Sequence, residues 1–184
     1  MCYYITAVLP SGANWQVAQA VAERHSRNLK AIDSPGIQRQ LRTGEQYFLT
    51  TAGHCDCDTS LGLAERKRPV HQSKSEARAK KLAALGWSKS KIERALAQSA
   101  NSHERSEARA LKTAEADTES WVNLLTELHQ HGLPYVGLLL HFYDGPLYQN
   151  VPLIGRLTVS SASQARQVLP RMSEDCLYEF RSEA

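Results

Sequence analysis

Between Glu65 and about Glu119 the chain offers almost no strand pattern, while strand-like runs crowd both sides of that gap. Ala, Lys, Arg, Glu and Ser dominate the gap, a composition that supports helix and little else. Any fold for the whole chain must therefore assemble a sheet from its two ends around a helical insertion. The resulting expectation is an α+β fold with a mostly antiparallel sheet and packed helices, ordered β-α-β-β, helices, β-β-α-β. Residues 1–64 and 133–184 would form the α+β sandwich domain and 65–132 the helical insertion.

The strand signals are local and readable. Cys2 to Leu9 is rich in aromatic and β-branched residues and stops at Pro10. Leu29 to Ile32 and Tyr47 to Thr51 follow, with an amphipathic helix from about Asn14 to His25 between the first two strands. Its stripe would be Trp15, Ala18, Val21 and Ala22. After the gap, Tyr135 to Tyr143 is apolar on both faces, as a central strand should be. Leu153 to Val159 and Cys176 to Phe180 close the series, with a helix capped by Ser160 or Ser161 between them.

Inside the gap, Ser73 and Glu76 have capping-box spacing for a helix ending at Leu85, where Gly86 is a natural stop. Ser88 or Ser90 would start a second helix. A third is expected from His103 to His131, set off by a linker at Ser99-Ala100-Asn101-Ser102 and ended by Gly132 and Pro134.

With 184 residues the chain can bury a core without help from disulfides or metal. A 42% hydrophobic and 22% charged composition excludes global disorder. No apolar run approaches the roughly 20 residues that span a bilayer, so no membrane partner is expected. The N-terminus lacks the basic and apolar regions of a secretory leader, so a cytoplasmic protein with reduced thiols is expected. There is no phosphate-binding glycine loop, no His-Glu-x-x-His and no Gly-x-Ser-x-Gly.

Two features carry chemistry. The first is Gly53-His54-Cys55-Asp56-Cys57-Asp58-Thr59-Ser60-Leu61-Gly62, leaving the end of a strand. Cys55 and Cys57 as thiolates, His54 as imidazole, and Cys2 or Cys176 brought in by the sheet would make a tetrahedral zinc set. A structural zinc knuckle more often spaces its cysteines two apart. Nucleophilic catalysis would need a thiol of lowered pKa, yet His54 and Cys55 point apart on an extended segment. Asp56 and Asp58 would raise a thiol beside them. The simplest reading is structural: tight turns at Gly53 and Gly62, aspartates bonding backbone amides, and thiols acting as small buried hydrophobes.

The start Met1-Cys2 resembles the N-termini of class II glutamine amidotransferases and of DNA-crosslinking SRAP domains, over those two residues. Both families continue with Gly where this chain has Tyr3. The resemblance implies a Cys2 nucleophile with its own α-amine as base, once Met1 is removed.

The second feature is a basic helical hairpin over 66–94, including Lys80, Lys81, Lys89, Lys91 and Arg94. With Gly86 in its turn it loosely matches a helix-turn-helix, and its cations would contact phosphates. Alternatively, its basic face folds back on the acidic third helix, with Trp87 and Trp121 as core anchors.

The leading expectation is an intracellular, non-enzymatic binding or regulatory protein of immunity or adaptor type, with another protein as partner and no cofactor. The first alternative is nucleic-acid binding through 66–94. The second is a zinc-binding protein or cysteine-dependent enzyme centred on 54–57, for which zinc is the implied ion.

Overall fold

The computed structural model describes residues 2–62 and 79–182, apart from the side chains of 99–107. The chain divides into two compact units, Met1–Arg66 with Ala116–Ala184, and Lys67–Glu115.

The first unit is built on strands β1 (Cys2–Leu9), β2 (Lys30–Ala31), β3 (Gln46–Leu49), β4 (Tyr135–Tyr143), β5 (Gly155–Val159) and β6 (Cys176–Arg181). They form one six-stranded sheet in the order β2-β3-β1-β4-β6-β5. Every pairing is antiparallel except β5 with β6. The fold is α+β, as the bracketing of the helical gap required. β4, apolar on both faces, sits between β1 and β6 near the middle of the sheet.

Side-chain alternation divides the sheet into two buried faces. Ile5, Ala7, Leu9, Phe48, Val136, Leu138, Leu140, Tyr178 and Phe180 share a core with the helices. Val8, Tyr47, Leu139, Tyr143 and Leu177 join Ile37 and Val151 in a second cluster on the other face. Helix α1 (Trp15–Arg24) is capped by the Asn14 side chain, which accepts the Val17 N–H, and buries Ala18, Val21 and Ala22 in the first core. Trp15, expected in that stripe, stands 43% exposed at the helix start. Short α2 (Pro35–Gln38) covers the opposite face through Ile37.

Helix α3 runs without interruption from Lys89 to Gln130. The linker expected at Ser99–Ser102 is helical, because no glycine or proline occurs anywhere in that span. Ser and Asn alone do not break a helix once their neighbours favour it. From Ala116 onward α3 belongs to the first unit, where Trp121, Val122, Leu124, Leu125 and Leu128 enter the helix-side core. Helix α4 (Ala162–Val168) is capped by Ser161, whose hydroxyl accepts the Gln164 N–H.

In the second unit, residues 79–84 are helical and stop at Gly86, which takes φ +79°. The Trp87 N–H then bonds the Leu82 carbonyl at 3.2 Å, closing the helix end as a Schellman-type stop does. The capping box at Ser73 and Glu76 lies outside the described residues. Among the described residues, no helix is long and apolar enough to cross a membrane.

Gly62 ends the cysteine loop at φ +68°, and a Cβ there would fall 2.0 Å from Cδ2 of the fully buried Leu140. Gly62→Ala combines left-handed backbone strain with overpacking. Urea titration is expected to show a loss of about 1–3 kcal/mol; an unchanged midpoint would place the loop end off the core.

Candidate metal centre

The cysteine loop exists because β1 outruns its neighbour. β3 pairs with β1 only from Thr6 to Leu9, so the N-terminal half of β1 lacks a strand on that side. Its exposed backbone groups must find other partners. Residues 55–57 supply them. The Asp56 N–H donates to the Tyr3 carbonyl at 2.9 Å, and the Ile5 N–H donates to Asp56 Oδ2 at 2.9 Å. The Tyr3 N–H points at Cys57 Sγ, 3.4 Å away.

This docking fixes which way the loop's side chains face. Asp56 is 2% exposed, while Cys55 and Cys57 on either side of it are half-buried. The two cysteines meet Cys2 at the start of β1. The sulfurs of Cys2, Cys55 and Cys57 all lie within 4.8 Å of one another, and all three residues are half-buried. Three sulfurs bound to one tetrahedral zinc at about 2.3 Å stand about 3.8 Å apart, so small side-chain adjustments would close the set.

His54 is exposed and is not among the clustered ligands. Cys176 is buried on β6 beside Gly155, and burial raises its pKa. The sheet thus brings one distant cysteine, Cys2, to the pair.

The loop is anchored from behind by a buried ion network. Asp56 Oδ2 also accepts from the Thr51 hydroxyl, and Oδ1 from Arg27 at 3.2 Å. The other end of the guanidinium donates to Asp117 Oδ1 at 2.5 Å, while its plane lies 4.2 Å above the Trp121 ring. Asp117 Oδ2 accepts from both the amide and the hydroxyl of Ser60, each at 2.8 Å. One arginine therefore ties the loop at two points, directly through Asp56 and through Asp117 of α3 to Ser60. Burial pushes the Asp56 pKa up, against the hydrogen bonds from Thr51 and Ile5 and the charge of Arg27.

The thiols differ in their electrostatics. Hydrogen bonding from the Cys57 amide and side chain lowers the Cys55 pKa. Asp58 raises it, as expected, but contributes less than the hydrogen bonds from Cys57, so the net shift is downward. Hydrogen bonding to Cys55, then burial, raises Cys2, the direction opposite to that of an activated nucleophile.

Sequence reasoning missed Arg27 and Asp117. Neither stands in a motif, and only the pattern of one buried cation between two acids marks them. His141 bonds Asp175 through Nδ1 and lies 3.0 Å from the Gln149 amide. Lys80, Lys81, Lys89, Lys91 and Arg94 are all exposed near the turn at Gly86, with Lys91 Nζ 4.2 Å from the Trp87 ring. Trp121 is a core anchor at 1% exposure, whereas Trp87 is half-buried. Continuity of α3 places Lys89–Arg94 and the acidic run from Glu104 on one helix, so they do not fold back on each other. Residues 66–78 of the basic stretch lie outside the described residues.

No protein-family model matches this chain, and neither curated proteins nor solved structures give a match.

Proposed function

We propose that the chain is a metal-binding protein in which Cys2, Cys55 and Cys57 hold one thiophilic divalent ion, zinc by its chemistry. The observation that carries this reading is the convergence of three sulfurs within 4.8 Å, one from β1 and two from a loop held by the ion pairs of Arg27. Thiolate ligands suit zinc, and the N–H groups of Tyr3 and Cys57 directed at the sulfurs favour the deprotonated form. Three protein ligands leave the fourth position of a tetrahedral ion open, and the half-exposed thiols put that position within reach of water or an incoming ligand. A cytoplasmic location would keep the three thiols reduced and free to bind.

Elemental analysis of protein purified without added zinc is expected to find one ion per chain. Cobalt substitution should add a sulfur-to-metal charge-transfer band in the near ultraviolet. Cys55→Ser or Cys57→Ser is expected to weaken binding about 10–100-fold or more, while His54→Ala leaves it unchanged. Substoichiometric metal, or serine variants that bind as tightly as the parent, would overturn the reading.

A further inference from the structure

The opposite edge of the sheet from β5 carries a second feature, remote from the thiols in the strand order. A groove of about 1050 Å³ runs along β2, with Trp15 and Gln19 of α1 on one wall and Arg39 and Arg42 of the loop after α2 on the other. Its floor is the edge strand, contributed by consecutive residues from Asn28 to Ile32. Among the described residues β2 has a neighbour only in β3, so its outer side carries no other described strand.

The register states which backbone groups face outward. Lys30 pairs with Leu49 and Ala31 with Phe48, and the Ile32 N–H bonds the Tyr47 carbonyl at 3.2 Å. In an antiparallel ladder hydrogen-bonded positions alternate, so Lys30 and Ile32 bond inward while Ala31 turns its N–H and C=O away from β3. Lys30 and Ala31 are both exposed. An unpaired edge is a template for an added strand, and here it is recessed between two walls.

Charge narrows the occupant. Lys30 and Arg39 are exposed and have no ion-pair partner among the described residues. The one carboxylate lining the groove, Glu45, is 1% exposed at its side chain and taken up by Arg156. The groove therefore presents uncompensated positive charge beside unpaired backbone. A lysine on a short edge strand discourages indiscriminate pairing, so the favoured guest is one that neutralises it.

We infer that this groove binds an extended acidic peptide segment of a partner protein, which adds to the sheet as a strand beside β2. Backbone bonds to Ala31 give the pairing, carboxylates of the guest meet Lys30 and Arg39, and Trp15 offers an apolar contact at the groove mouth. The site is independent of the metal.

Titration of the isotope-labelled full chain with a synthetic peptide of alternating glutamate and valine tests this, followed by amide NMR. Saturable shifts centred on residues 28–32 are expected, with the Ala31 amide slowed in hydrogen exchange. The same peptide with lysine for glutamate should bind at least about tenfold more weakly, as should the acidic peptide to a Lys30→Glu, Arg39→Glu variant. Ala31→Pro removes an outward N–H that the fold itself does not use, and should abolish binding with little loss of stability. Equal binding of the two peptides, no binding of either, or shifts elsewhere would overturn the inference. Tighter binding of a single-stranded oligonucleotide in the same groove would also overturn it. The doubly charged variant alters only exposed side chains, so it decides the matter even if the proline variant misfolds.

Discussion

Arg27→Met is expected to cost about 3–5 kcal/mol of folding stability in urea denaturation at neutral pH, the range found when one partner of a buried ion pair is removed. Arg27 bridges Asp56 and Asp117, and its own side chain is 11% exposed. Methionine keeps much of the packing on Trp121 but leaves two carboxylates without the guanidinium that joins them. The penalty should depend on pH in a defined direction. Burial already raises the Asp56 pKa, and loss of Arg27 would raise it further above the unfolded value of about 3.9. A folded state that holds its proton more tightly than the unfolded chain gains stability as pH falls. The deficit of the variant is therefore expected to shrink on acidification from neutrality towards the ordinary carboxylate range. Because Asp56 positions both Cys55 and Cys57, zinc affinity should fall with it. A cost below 1 kcal/mol, or a deficit that grows in acid, would mean that the arginine does not hold the loop.

The second large effect is expected from Glu45→Gln. The Glu45 carboxylate is 1% exposed and receives both Arg156 nitrogens at 2.8 and 2.9 Å, the Tyr135 hydroxyl at 2.6 Å and the Arg42 amide at 2.8 Å. Burial alone would raise its pKa, but these donors overcome it and hold the group at about 2. Glu179, also 1% exposed, shares Arg156 and is lowered as well, with bonds to Arg42 and Arg181. For a carboxylate with a depressed folded pKa, the stabilisation is complete above the unfolded value near 4.5 and disappears as pH falls towards 2. A shift of that size corresponds to about 3 kcal/mol. Glu45→Gln should lose about that much at pH 7 and show a flatter decline between pH 5 and pH 2, so the two curves converge in acid. Parallel curves for the parent and the variant would show that the network contributes nothing through Glu45. The same residues fix the loop from Arg42 to Glu45, one wall of the β2 groove, so weaker peptide binding should accompany the loss.

Where the sequence was legible, the signal was local. Aromatic and β-branched residues marked Cys2 to Leu9, continuous apolarity marked Tyr135 to Tyr143, and Asn14 and Ser161 announced helix starts that their side chains do cap. Gly86 and Gly132 take the positive φ that helix ends require. The helical middle was legible too, although its small polar residues suggested a break that only Gly or Pro would enforce.

By itself, then, the sequence determined most of the strands and helix ends, the α+β class and the presence of an unusual cysteine loop, because each depends on residues a few positions apart. The tertiary structure alone decided what that loop can do. Tyr3 and Cys57 are separated by 54 positions, and Arg27 and Asp117 by 90. Such pairs meet only when strand register leaves half of β1 without a strand on one side and the loop fills that side with its own backbone. Unsatisfied hydrogen bonds on one strand brought Cys55 and Cys57 to Cys2, and a single buried arginine keeps them there.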